Sequence, residues 1–264
     1  MRLGKGQRMM GALVLACLMA SIVSATTSDL CGATILDDLK LDHDLLCTGD
    51  GLIVGSDGIR IDLNGYTLSG SGVGAGIAVT GRTNISISGG TVTNFAVAVR
   101  VNTSTDVVIK QNEFVANPEG IDLQAGSVGN MIKDNAFQDS ITRGIMLRSN
   151  SRENDIKNNT FTGNRVGILV FGGVNNTLKQ NIISGSTLAG IRINVIATGN
   201  VLKDNRVTSN VVGIEFLVTP TGSAIGNELN ENTIATNDCG LKGPTAGNDL
   251  KNNSFEGNVA DMCS

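Results

Sequence analysis

The 264-residue chain has no tryptophan, one tyrosine (Tyr66), one histidine (His43) and only three prolines. It also has no basic surplus: 20 Lys and Arg stand against 24 Asp and Glu. Without a positive field or an aromatic stacking platform, nucleic acid is not an expected partner. With a lone histidine and no Cys-x-x-Cys, the usual ligand spacings of a zinc site are missing, and no metal or cofactor is expected. No window shows a helical apolar stripe. The single long apolar run, Met9–Val23, is short for a membrane span. It follows Arg2, Lys5 and Arg8 and ends at Val23-Ser24-Ala25, so residues 1–25 read as a signal peptide and the protein as secreted or periplasmic. Its removal takes three basic residues, leaving 17 against 24, a formal charge of −7.

Cysteine is absent between Cys47 and Cys239. Once the leader takes Cys17 away, one pair remains near each end. For an exported chain the natural reading is two local disulfides, Cys31–Cys47 and Cys239–Cys263, since the other pairings would join opposite ends.

What the chain does have is glycine, 34 residues of it, together with 41% hydrophobic residues, enough for a real core. It also has a repeat. Aligning Gly-Ile and its variants gives Gly58, Gly76, Ala96, Gly120, Gly144, Gly167, Gly190, Gly213 and Gly240, with steps of 23–24 residues from Ala96 to Gly213. A fixed period of this size means stacked coils. Each coil holds three short alternating segments: Gly-Ile-x-Leu, an aliphatic three residues before an asparagine (Ile132, Ile156, Leu178, Leu202), and a third centred on Phe114, Phe137, Phe161 and Ile183. Three strands per coil, stacked in parallel, predict an all-β parallel β-helix of about nine coils. The expected limits are a cap at 26–57, repeats at 58–238, and a last coil with its cap at 239–264. Asn112, Asn135, Asn159, Asn181, Asn205, Asn232 and Asn253 recur at one position, and Asn117, Asn164, Asn210, Asn237 and Asn258, with Ser140 and Ser186, at another. Their expected role is turn chemistry, through tolerance of left-handed backbone and amide ladders.

The unit N-x-I-x-x-N-x-F/I…GI-x-L, over residues 58–258, resembles the right-handed parallel β-helix proteins of the pectate-lyase-like superfamily. The N-terminal stretch "CGATILDDLKLDHDLLCTGDGLIVGSDGIRIDLNGYTLSG" resembles the cap and first coil of secreted members. The resemblance implies right-handedness. It does not carry an enzyme activity across: the clustered aspartates with a Gly-His-Gly histidine of polygalacturonases, and the Asp-Pro-His-Asp of alginate epimerases, have no counterpart here.

Two outward columns of the first strand are candidate site positions. One reads Arg60, Ala78, Ala98, Asp122, Met146, Leu169, Arg192, Glu215, Lys242; the other Asp62, Thr80, Arg100, Gln124, Arg148, Phe171, Asn194, Leu217. Asp122 and Glu215 lie four coils apart, roughly 19 Å at the usual strand spacing, too far to share a calcium ion. Surface ion pairs of Asp122 with Arg100 and Arg148, and of Glu215 with Arg192, are the expected arrangement. Exposed Met146, Leu169 and Phe171 beside them could line a shallow sugar groove. "LDHDL" around His43 places Asp42 and Asp44 away from the imidazole if it is a strand. On the second strand, six of the eight lysines outside the leader form one column: Lys110, Lys133, Lys157, Lys179, Lys203 and Lys251. This column reads as a solubilising face or, more sharply, as a cationic track for a uronate polymer. The function expected is a secreted, non-catalytic module binding polysaccharide or cell-envelope glycan, neutral or uronate-type, on an outer face. The ligand-binding candidates are Asp122, Arg148, Phe171, Arg192, Glu215, Lys133, Lys157 and Lys179. The alternatives are a polysaccharide lyase or epimerase, or a passive envelope rod.

Overall fold

The computed structural model describes residues 30–264 apart from 125, 195, 220 and 221, so the expected signal peptide lies outside the described residues. Those residues form a parallel β-helix. Eleven strands, from Thr34–Ile35 to Ala260–Cys263, make the first sheet. Ten strands, from Leu39–Lys40 to Asp249–Lys251, make the second, and ten from Leu45–Leu46 to Ser254–Glu256 the third. The ladders thus begin at Thr34, a coil earlier than the Gly-Ile count suggests. Disulfides Cys31–Cys47 and Cys239–Cys263 pin the two ends. Among the described residues no helix is long and apolar enough to cross a membrane.

Alternation explains why such short strands suffice. In Asp155–Lys157, Thr177–Lys179 and Val201–Lys203 the central aliphatic is buried and its neighbours are half-exposed. Each coil thereby contributes one inward residue per short strand, and stacking makes the core continuous. Phe114, Phe137 and Phe161 stack along the third sheet with ring centroids 5.0 and 4.6 Å apart.

The Gly-Ile signature has a packing cause. A Cβ on Gly167 would sit 2.6 Å from the Gly190 carbonyl oxygen and 2.7 Å from Cγ2 of Ile183. The glycine column is where the first sheet passes close to the core of the third. Gly167→Ala is therefore expected to cost about 1–3 kcal/mol through overpacking, read as a lower urea midpoint.

The asparagine columns are ladders, with one correction. Asn135 Oδ1 accepts both the backbone N–H (3.0 Å) and the side-chain amide (3.2 Å) of Asn112, while Asn135 Nδ2 donates to the Ile109 carbonyl (2.9 Å). The same pattern repeats to Asn253. The left-handed residue of each turn, however, is the one before the asparagine: Gln111, Asp134, Asn158, Gln180, Asp204, Glu231 and Asn252 all have φ between 54° and 59°. That residue turns the chain outward so that the next side chain can point in. A third ladder, Asn130, Asn154, Asn176, Asn200, Asn227 and Asn248, fills the corner between the first and second sheets. Its steps in the sequence match those from Asn135 to Asn253, and that is the signal the two-column reading passes over.

Candidate functional site

Register decides which side chains meet, and here two alignments change. Arg60 and Asp62 pair with Ser86 and Ser88 in the second sheet, so they leave the first-sheet columns. The motif "GIRIDL" imitates the first-strand signature, and its 18-residue step to Gly76 is the sign of the mismatch. Arg100 pairs with Ala78 on one side and Asp122 on the other, placing Ala98 beside Gly76 and Gly120. The outward column of the first sheet therefore reads Ala78, Arg100, Asp122, Met146, Leu169, Arg192, Glu215, Lys242.

Asp122 and Arg148 meet as expected, with Arg148 Nε 2.7 Å from Asp122 Oδ1. Gln124 Nε2 donates to the other oxygen, Asp122 Oδ2, at 2.9 Å. Glu119 takes Arg143 at 3.5 Å and Arg148 at 3.6 Å. The hydrogen bond to Asp122 holds the Arg148 guanidinium above its already high ordinary value, against the opposing pull of burial. This is no surface pair: the Asp122 side chain is 1% exposed. Met146, expected at the surface, is also buried, with Arg143 Nη1 at 2.6 Å from its sulfur. Arg100, although paired in register with Asp122, makes no hydrogen bond or ion pair with it among the described residues. Around these groups lies an open groove of ≈ 560 Å³ lined by Thr80, Arg100, Asn102, Glu119, Asp122 and Gln124, among others.

Further along the same face, Arg192 Nε meets Glu215 Oε2 at 2.6 Å, and Lys242 approaches Glu215 Oε1 at 3.7 Å. Between the two clusters sits Leu169, half-buried, with Phe171 beside it, 40% exposed. Ile196, also exposed, lies over Gly172, where an added Cβ would meet its Cδ1 at 2.6 Å. Phe171 and Ile196 form an apolar shelf. The long 213–240 step closes as a small antiparallel hairpin, Val218–Thr219 with Gly222–Ser223, just after the Glu215 strand. Asp122 and Glu215 are four register steps apart, so the two clusters are separate.

The lysine column of the second sheet is in strict register, with Lys133, Lys157, Lys179 and Lys203 on successive coils. Local carboxylates neutralise part of it: Lys157 pairs with Asp155 at 2.7 Å, Lys203 with Glu231 at 3.1 Å, and Lys251 with Asp249. At the N-terminal end, Asp42–His43 forms a bend rather than a strand, and Asp42 Oδ1 lies 2.8 Å from His43 Nδ1. The expectation that Asp42 faces away from the imidazole is thus overturned. Asp44 does turn elsewhere, accepting the Thr67 N–H.

A parallel β-helix with a polar groove on its first sheet defines the class. The model of the family described as periplasmic copper-binding protein (NosD) matches residues 50–227, and the chain belongs to that family. Among curated proteins no sequence matches the chain. Among solved structures it is similar to an alginate lyase from Paenibacillus sp., at 17% identity over 82% of this chain and 91% of that one, with a TM-score of 0.65. It is also similar to the periplasmic alginate epimerase AlgG (15% identity, 80% of this chain and 62% of that one, TM-score 0.66). A tailspike protein of E. coli bacteriophage HK620 follows at 11% identity, 87% and 52% coverage, and a TM-score of 0.62. At these identities the likeness is one of fold. The chain spans nearly the whole lyase but only 62% and 52% of the other two.

The copper of the family description does not fit the donors present. Copper favours imidazole, thiolate and thioether ligands. Among the described residues all four cysteines are in disulfides and His43 is the only histidine; of the thioethers, Met146 is taken by Arg143, while Met131 lies on the second sheet and Met262 on the last strand of the first, so no such donors converge. Among the described residues no three His, Cys, Asp or Glu converge as a metal site.

Proposed function

We propose that the outer face of the first sheet binds a polysaccharide along the solenoid axis without cleaving it. The observation that carries this reading is the open groove beside Asp122, whose carboxylates are already held by arginines and Gln124. Asp122, with a hydrogen bond on each oxygen, can shape a site but has little freedom for the proton transfer a lyase or hydrolase requires. The Phe171–Ile196 shelf supplies apolar surface for sugar ring faces beyond the groove. The structural neighbours support the same class: two are an alginate lyase and an alginate epimerase, and an HK620 tailspike forms a complex with a pentasaccharide. Two disulfides and the periplasmic description of the family support export to an oxidising compartment.

The test is a panel of neutral and anionic polysaccharides, with binding and unsaturated-product release followed together. Binding without product is expected, and product release from any polymer would install the lyase reading instead. Phe171→Ala is expected to weaken binding about tenfold, roughly 1.4 kcal/mol, with unchanged thermal unfolding. Replacing Lys133, Lys157 and Lys179 together by Ser is expected to leave binding intact; loss there would move the site to the second sheet.

A further inference from the structure

The paired charges of the groove leave one cation over. Glu119 and Asp122 are balanced by Arg143 and Arg148. Arg100 lines the same groove, directly opposite Asp122, yet its guanidinium has no hydrogen-bond or ion-pair partner among the described residues. On its other side the register partner is Ala78, whose methyl leaves the space before Arg100 open. Two residues along, Asn102 and Thr80 are paired in register, line the same groove, and likewise carry side chains with no partner among the described residues. Three uncommitted polar groups therefore meet on two adjacent coils: one fixed cation with five donors, one amide and one hydroxyl.

We infer that this corner is a subsite for an acidic sugar, its carboxylate on Arg100 and its hydroxyls on Thr80 and Asn102. The inference rests on the reading that this face binds polysaccharide, and it names the class of polymer. A planar guanidinium matches a carboxylate through two parallel hydrogen bonds. A neutral sugar would leave the Arg100 charge uncompensated inside the groove. The neighbouring network matters because it directs Asp122 elsewhere: Arg148 and Gln124 each bond one Asp122 oxygen, and Arg100 bonds neither. The frame thus keeps a positive charge available beside one buried carboxylate, Asp122, and one half-buried, Glu119.

The experiment compares oligogalacturonate and oligomannuronate with their carboxyl-reduced counterparts, which keep the chain and lose the charge. Binding to the disulfide-intact protein is measured by calorimetry. At least one acidic oligomer is expected to bind tenfold or more tightly than its reduced form. Arg100→Met is expected to erase that difference, and Arg100→Lys to keep part of it. Arg206→Met, the same charge change on an exposed residue of the third sheet, is expected to leave it whole. Thr80→Ala should weaken acidic and reduced oligomers alike. Equal binding of acidic and reduced forms, or a difference that survives Arg100→Met, overturns the acidic subsite while the polysaccharide-binding face stands. Failure of every oligomer to bind overturns the acidic subsite, and failure of the whole neutral and anionic panel as well overturns the polysaccharide-binding face. Thermal unfolding of each variant identifies any loss of fold, in which case Arg100→Lys and Asn102→Ala decide the question.

Discussion

Asn159→Asp, the exchange of one NH2 for one oxygen, is expected to cost about 3–5 kcal/mol at neutral pH. The position is fully buried in the middle of a ladder. Asn159 Oδ1 accepts the backbone N–H of Asn135 at 3.0 Å and its side-chain amide at 3.1 Å. Its Nδ2 donates to the Ile132 carbonyl at 2.9 Å and to Asn181 Oδ1 at 3.1 Å. A carboxylate keeps the two accepted bonds but sets its second oxygen against two acceptors. Protonation removes the charge and restores one donor. The carboxyl introduced there therefore has a folded-state pKa raised above its unfolded value, and the folded state binds the extra proton more readily. By linkage, the stability of this variant rises as pH falls from neutral toward the unfolded carboxyl value, the reverse of ordinary acid denaturation. Asn159→Ala gives the comparison: it orphans the Asn135 N–H and leaves a void, for about 2–4 kcal/mol with no such pH dependence. Urea midpoints at pH 5 and pH 8 separate the two. If the Asp variant matches wild type at pH 8, the amide ladder is ornamental rather than structural.

The ladder shows how much of this molecule can be read from its sequence. Period, strand count per coil, the disulfide pairs and two of three asparagine columns follow from spacing, because every coil solves the same packing problem with the same residues. Reading fails where one coil departs from the rest. The coil of Gly58–Asp62 carries a first-strand motif on a second-sheet strand, and Ala96 takes the alignment that belongs to Ala98. A two-residue slip preserves the in-and-out alternation, so hydrophobic pattern alone cannot detect it. The slip matters at the groove, since it decides whether Arg100 stands opposite Asp122 or Gln124. Burial is also invisible to spacing. Asp122 and Met146 occupy outward positions, yet Arg148, from the adjoining coil, folds over Asp122, and Arg143, from the same strand, over Met146. Long side chains can cover an outward position completely, and the pattern of a strand says nothing of what lies above it.

Arg148→Met tests whether that cover is structural. Removing the guanidinium leaves Asp122, 1% exposed, with only the Gln124 amide as partner, and leaves Glu119 with Arg143 alone. Stranding a buried carboxylate in this way is expected to cost about 2–4 kcal/mol, the lower part of the usual range because the groove admits water and Arg100 lies on the next coil. The double variant Asp122→Asn with Arg148→Met should recover much of the loss, since an amide keeps the Gln124 contact and carries no charge to strand. The single Asp122→Asn should be milder than Arg148→Met, because Arg148 is partly exposed and can turn to solvent or to Glu119. That order, with Arg148→Met worst and the double variant intermediate, distinguishes a stranded charge from simple loss of contacts, in which the double variant would be the least stable of the three. A second readout follows for ligand. With Arg148 gone, Asp122 is free to capture Arg100, so acidic oligomers should lose affinity even where the fold is intact, and the double variant should regain it. Affinity that stays lost in the double variant would mean that Arg148 contacts the sugar itself rather than guarding the charge of its neighbour.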